Sequence, residues 1–111
     1  MGVKILWFSR HELSSDQISG LKKKLGDDLD VTQVNKTIVS VKELGDLSTF
    51  DVLAVVAPIG LQAEFLSVAG DRPVIFAKNA REFDTEGKVS FRHTGWFRLV
   101  KVEVVTEEFS A

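Results

Sequence analysis

The run Val3-Lys4-Ile5-Leu6-Trp7-Phe8 limits the fold more than any other part of the chain. It is apolar nearly throughout, with Lys4 the single exception, so a strand made from it has two faces to hide and belongs inside a sheet covered on both sides. Two further runs have the same character. Asp51 to Ala57 is apolar after its first residue and ends at Pro58-Ile59-Gly60; Val74-Ile75-Phe76-Ala77 follows Arg72-Pro73 and ends at Lys78-Asn79-Ala80-Arg81. A β-rich segment from Asp30 to Asn35 mixes polar and apolar residues and suits an edge strand.

Helix signals separate these runs. Ser14 with Gln17 three residues on forms a capping-box pattern, Ile18, Leu21 and Leu25 recur at helical spacing, and Gly26 supplies the stop. The Lys22-Lys23-Lys24 run falls near the C-terminus of that helix, where cations complement the helix dipole, so its role is structural. Ser40 and Glu43 form a second capping box ahead of Val41, Leu44 and Leu47, which predicts a turn or two of amphipathic helix. Leu61, Phe65 and Val68 make one stripe of a third helix that stops at Gly70. Strands alternating with helices predict an α/β chain, a Rossmann-like three-layer parallel sheet with right-handed crossovers and helices on both faces.

The ending departs from this pattern. Asp84-Thr85-Glu86-Gly87 is a turn cluster, and Lys88 to His93 and Phe97 to Thr106 flank a second turn signal, Thr94-Gly95. A C-terminal antiparallel β-hairpin turning at Thr94-Gly95 is expected. That turn sets His93 opposite Trp96 and Arg92 opposite Phe97, with Val89, Phe91, Trp96, Val100, Val102 and Val104 on one face and Arg92, Lys101 and Glu103 on the other. The tail Thr106 to Ala111 is expected to fray.

Composition narrows the function classes. With 111 residues, a 44% hydrophobic share, eight Phe and two Trp, the chain is expected to be a single domain, residues 1–111, with one core. Apolar runs stop well short of the roughly 20 residues a membrane span needs, and no signal-type segment opens the chain, so a soluble cytoplasmic protein with no membrane partner is expected. The absence of Cys excludes a disulfide framework, a thiolate nucleophile and a zinc-thiolate site. Two His and carboxylates out of ligand spacing argue against a metal site, and no cofactor is expected.

A formal net charge of −2 argues against a general nucleic-acid coat, so no duplex partner is expected. The charges are unevenly spread. Gly26 to Phe50 carries Asp27, Asp28, Asp30, Glu43 and Asp46 against two bases, whereas Arg72 to Lys101 carries Arg72, Lys78, Arg81, Lys88, Arg92, Arg98 and Lys101 against three acids. The second half therefore offers either an anion-facing surface or a set of solvated strand faces.

In an open parallel sheet the ligand site lies outside the C-terminal strand ends, where neighbouring helices diverge to opposite faces. Three loops are expected there: Ser9 to Glu12, Pro58 to Gln62 and Lys78 to Arg81. They offer Ser9, Arg10 and His11 as candidate catalytic groups and Gly60, Gln62, Lys78, Asn79 and Arg81 as ligand-binding groups. A hydroxyl, guanidinium groups, an imidazole, side-chain amides and bare backbone amides at a helix entrance suit a phosphate. Neither a Walker nor a dinucleotide-binding motif occurs. Plain structural roles compete: Arg10 paired to Glu12, His11 bonded to a carbonyl, Ser9 ending its strand, Lys78 and Arg81 as solvated loop charges, His93 packed on Trp96, and Trp7 and Phe8 as core.

Two family resemblances attach to these residues. A strand followed by Arg10-His11 resembles the histidine-phosphatase opening, in which the His accepts phosphate and the Arg clamps it. Glu12 stands where that family has Gly, the chain is short for that fold, and only His93 is left as a second histidine.

The broader resemblance rests on Phe8-Ser9-Arg10-His11-Glu12-Leu13-Ser14-Ser15-Asp16-Gln17, Glu86-Gly87-Lys88-Val89 and Phe91-Arg92-His93. With the element order and size, these stretches resemble the small single-domain CRISPR-associated ring nucleases, whose Rossmann-like fold is related to the CRISPR-associated sensor domain. The resemblance implies a homodimer that binds a cyclic oligoadenylate, typically the four-adenosine ring, and linearises it to switch off an antiviral response. It implies metal-independent attack by a ribose 2′-hydroxyl, with Arg10 and Lys78 or Arg81 on phosphate oxygens, His11 as acid or base, Ser9 as an orienting hydroxyl, Gly60 allowing close approach, and Arg92 and His93 closing over the ring. A non-catalytic nucleotide-binding module and a protein-interaction module stand as alternatives.

Overall fold

The computed structural model describes residues 2–83, 85–102 and 109, with the side chains of 79–82 and 90–94 outside the description. Strand β1 spans Val3–Phe8, β2 Leu29–Val34, β3 Val52–Val55, β4 Val74–Phe83 and β5 Val89–Arg98; α1 spans Ser15–Leu25 and α2 Ile59–Ala69, and a single 3-10 turn occupies Val41–Leu44. The strands form one sheet in the order β2-β1-β3-β4-β5. All neighbours run parallel except β4 and β5, which are antiparallel.

Alternation along β1 builds the core on both faces of the sheet. Leu6 and Phe8 join Leu53, Val55, Val74 and Phe65 beneath α2 and the 3-10 turn, while Ile5 and Trp7 join Val52, Ala54, Leu21 and Trp96 beneath α1. The sheet therefore carries helical cover on each side, as its apolar strands require. Phe8 and Phe65 pack with ring centroids 5.3 Å apart, and Trp7 meets Trp96 edge-on at 5.8 Å. A fully buried Phe contributes about 1.5–3 kcal/mol through removal of its apolar surface from water.

The capping boxes fold as their sequences predict. Ser14 Oγ accepts the Gln17 amide while Gln17 Oε1 accepts the Ser14 amide, and Gly26 closes α1 with φ of 96°, its amide donating to the Lys22 carbonyl. That left-handed φ strains any side chain, which is why the helix ends on glycine. The second box shapes the 3-10 turn: Ser40 Oγ accepts the Lys42 amide and Glu43 accepts the Val39 and Ser40 amides.

The C-terminal half differs from the expected layout. Lys78 to Arg81 is not a loop: β4 continues to Phe83, and the chain turns at Thr85-Glu86 before β5. Beyond Ile75, β4 pairs only with β5, so the two strands leave the sheet as a ribbon. Thr94-Gly95 is not a turn either, because β5 runs through it and the register with β4 shifts between Lys78 and Asn79. A glycine inside a strand often marks such an irregularity, and here it imitates a hairpin signal. His93 consequently pairs with Asn79 and Arg92 with Ala80, while Trp96 pairs with Ala77 and Phe97 with Phe76, so neither expected cross-strand pair forms. The expectations placed on Glu103, Val104 and, Phe109 apart, the tail from Thr106 to Ala111 fall outside the described residues.

No helix among the described residues is long and apolar enough to cross a membrane. Arg72 also leaves the expected anion-facing set. Its guanidinium donates to the carbonyls of Ala69, Leu47, Phe50 and Val68, tying the end of α2 to the segment ahead of β3.

Candidate functional site

Register decides which loops meet. Phe8 pairs with Val34 on one side and Val55 on the other, so β1, β2 and β3 end level and their following segments emerge side by side. With α1 on one face and α2 on the other, the chain diverges between β1 and β3, the place where open α/β sheets form a ligand crevice. A cleft of about 310 Å³ lies there. It is lined by Phe8, Ser9, Arg10 and His11 after β1, by Val34, Lys36, Thr37 and Ile38 after β2, and by Val56, Pro58 and Leu61 around the start of α2.

The first of these segments is held by its backbone. Gln33 Nε2 donates to the carbonyls of Ser9 at 3.0 Å and His11 at 3.1 Å, and Trp7 Nε1 donates to the His11 carbonyl at 2.8 Å. The Ser9 amide donates to the Val34 carbonyl, and Ser9 Oγ accepts the His11 amide at 3.1 Å. Ser9 is only 6% exposed, and its oxygen is fixed by the loop it stabilises. Such side-chain acceptance two residues on is the ordinary geometry of a serine turn. Main-chain polar groups are thus spent inward while the side chains of Arg10 and His11 are exposed.

Arg10 does not pair with Glu12. One terminal nitrogen donates to Thr37 Oγ1, which leaves its other donors for an anion. The segment after β2 is anchored beyond Thr37, where Glu43 accepts the Val39 and Ser40 amides and Ser40 Oγ donates to Glu64 of α2 at 2.7 Å. The Ser40 amide first, then the Val39 amide, hold the Glu43 carboxyl below its usual value, and Lys36 adds a smaller attraction. The third wall is the entrance of α2. Pro58 occupies the N-cap and no side chain bonds the first-turn amides, so that end presents bare donors.

The lining combines cationic and polar groups with apolar side chains. Arg10, Lys36, His11, Ser9 and Thr37 supply charge and donors, Phe8, Val34, Ile38, Val56, Pro58 and Leu61 supply the wall, and no carboxylate is among the lining residues. Val56 and Ile59 remain 56% and 62% exposed beside it. Among the described residues no group of three or more His, Cys, Asp or Glu could hold a metal ion.

The expected site residues divide clearly. Ser9, Arg10 and His11 come together as read from the sequence. Gly60 and Gln62 belong to the right segment but do not line the cleft; Gln62 Nε2 donates to the Ala57 carbonyl at 2.8 Å and braces the turn instead. A Cβ at Gly60 would meet nothing within 4 Å, so internal packing does not demand glycine there. Lys78 lies on β4 with its ammonium 4.3 Å from the Phe97 ring centroid, outside the lining set. Asn79 and Arg81 lie further along β4, and Arg92 and His93 on β5, in the ribbon rather than in a rim loop. Lys36 and Thr37 were missed. The signal available was positional: they directly follow the edge strand paired to β1, and an open sheet's crevice takes loops from either side of its switch point.

No family model matches the chain, and comparison with curated proteins and with solved structures finds no match.

Proposed function

We propose that this cleft binds a phosphate-bearing nucleotide and that the ligand is a cyclic oligoadenylate, probed first as the four-adenosine ring, which the protein linearises without a metal. One observation carries the reading: at the crevice of the sheet, two cations, an imidazole, two hydroxyls and an uncapped helix entrance line one cleft together with apolar side chains and without a carboxylate. Phosphate calls for the first set and a nucleobase for the second. The mostly parallel sheet in the order β2-β1-β3-β4-β5 and the Ser9-Arg10-His11 segment at its crevice support the ring-nuclease reading.

A ribose 2′-oxygen attacks the adjacent phosphorus, a 2′-O–P bond forms, and the P–O5′ bond breaks to leave a 2′,3′-cyclic phosphate and a free 5′-hydroxyl. The 2′-hydroxyl proton leaves and the departing 5′-oxygen gains one, so no water is consumed. In this scheme Arg10 and Lys36 stabilise charge on the phosphate oxygens, and His11 is the cleft side chain able to give or take a proton. Ser9 Oγ, which accepts the His11 amide, holds the backbone from which the imidazole projects. A second copy of the chain completes the site for a ring too large for one cleft.

The test is turnover of labelled cyclic tetra-adenylate in excess chelator. Linear product ending in a 2′,3′-cyclic phosphate is expected, and it should be lost in Arg10→Ala and His11→Ala. Recovery of intact ring after stoichiometric protection would replace catalysis with sequestration, and absence of both binding and cleavage would remove the ligand assignment.

A further inference from the structure

The segment after β2 has no role in the residues first read as the site, yet it forms a full wall of the cleft. Thr37 accepts from the Arg10 guanidinium across 27 residues of chain, and Lys36 lines the same space. An exposed arginine held at one terminal nitrogen has its remaining donors set in direction, which lowers the ordering cost of forming a bidentate phosphate contact. Val34, Val56, Pro58 and Leu61 line the same cleft and supply apolar surface. A volume of about 310 Å³ is at the lower end of the range for small-molecule sites and far below what a cyclic tetranucleotide fills.

We infer that each cleft takes one phosphorylated nucleoside unit, with its phosphate between Arg10 and Lys36, its base on the Val34, Val56 and Leu61 wall, and Thr37 acting as a positioning residue for Arg10. This rests on the nucleotide reading above but not on cleavage. No lining side chain among the described residues is a carboxylate or side-chain amide, so the wall reads a base by shape and apolar contact rather than by pairing its polar edge. Glu43 bounds this arrangement, since it holds the far end of the segment and draws on Lys36.

The experiment is a calorimetric titration of the whole chain with 5′-AMP, adenosine, ribose 5-phosphate and inorganic phosphate. AMP should bind at least tenfold more tightly than any of the other three, because only it engages both walls. Lys36→Gln should weaken AMP and ribose 5-phosphate about tenfold and leave adenosine unchanged. Thr37→Val should weaken AMP by a smaller factor, and Thr37→Ser should restore it, a rescue that a loss of folding would not show. AMP binding no tighter than inorganic phosphate, or indifferent to both Lys36→Gln and Thr37→Val, overturns the inference. If AMP binds as described and the cyclic ring is not cut, the cleavage reading fails alone; if the ring is cut and both variants act as wild type, the inference fails alone.

Discussion

The Trp7 indole nitrogen donates to the carbonyl oxygen of His11 at 2.8 Å, so a residue 2% exposed in the core fixes the backbone of a residue exposed at the rim. The loop is therefore an extension of the α1-side core. Gln33 shares the same carbonyl, which makes the two donors partly redundant.

Trp7→Phe removes the donor while keeping an aromatic ring in the core. We expect a loss of about 1–2 kcal/mol in stability, from the hydrogen bond and the smaller ring together. Urea denaturation followed by far-ultraviolet circular dichroism measures it. Ligand affinity is expected to fall by less than stability does, because Gln33 still donates to the His11 carbonyl and keeps the loop in place.

Arg72→Lys tests a residue that the charge pattern misassigned. Four carbonyls converge on the guanidinium, and an ammonium with three donors cannot reproduce the planar fork. A destabilisation of about 2–3 kcal/mol is expected, by analogy with other hydrogen bonds to charged groups. Nucleotide binding measured at a temperature where the variant stays folded should match the wild type, since Arg72 does not line the cleft.

The Glu43 carboxyl is held below its ordinary value by the Ser40 and Val39 amides. A depressed carboxylate contributes stability that is fully present above its unfolded value and lost as pH falls through the folded one. Stability should therefore decline on acidification below the usual glutamate range, and Glu43→Gln should flatten part of that decline. Urea midpoints measured between neutral and strongly acidic pH show whether it does. Asp46, held down by the Ser48 amide and then the Ser48 hydroxyl, contributes in the same direction and keeps the variant's profile from becoming flat.

What was legible in the sequence follows from where structure is determined locally. Ser14 with Gln17 specifies its capping box within four residues, and Val3 to Phe8 announces a strand with two covered faces because nearly every side chain is apolar. Lys78 to Arg81 reads as a loop because polar residues of low strand preference end an apolar run, yet pairing with β5 makes them strand. Thr94-Gly95 is the same failure in reverse, a turn signal absorbed by a register shift. Lys36 and Thr37 line the cleft through the level ending of β1 and β2, a property of register between segments that no local pattern records. Arg72 looks like surface charge until the carbonyls of four separate residues converge on it.

The most direct test of the central claim is amide chemical-shift mapping of isotope-labelled protein titrated with cyclic tetra-adenylate in excess chelator. The largest changes are expected on Ser9 to Glu12, Lys36 to Ile38 and Ile59 to Leu61, the three segments that meet at the ends of β1, β2 and β3. Changes confined to the β4–β5 ribbon or to other surfaces, or no saturable change at all, would contradict it.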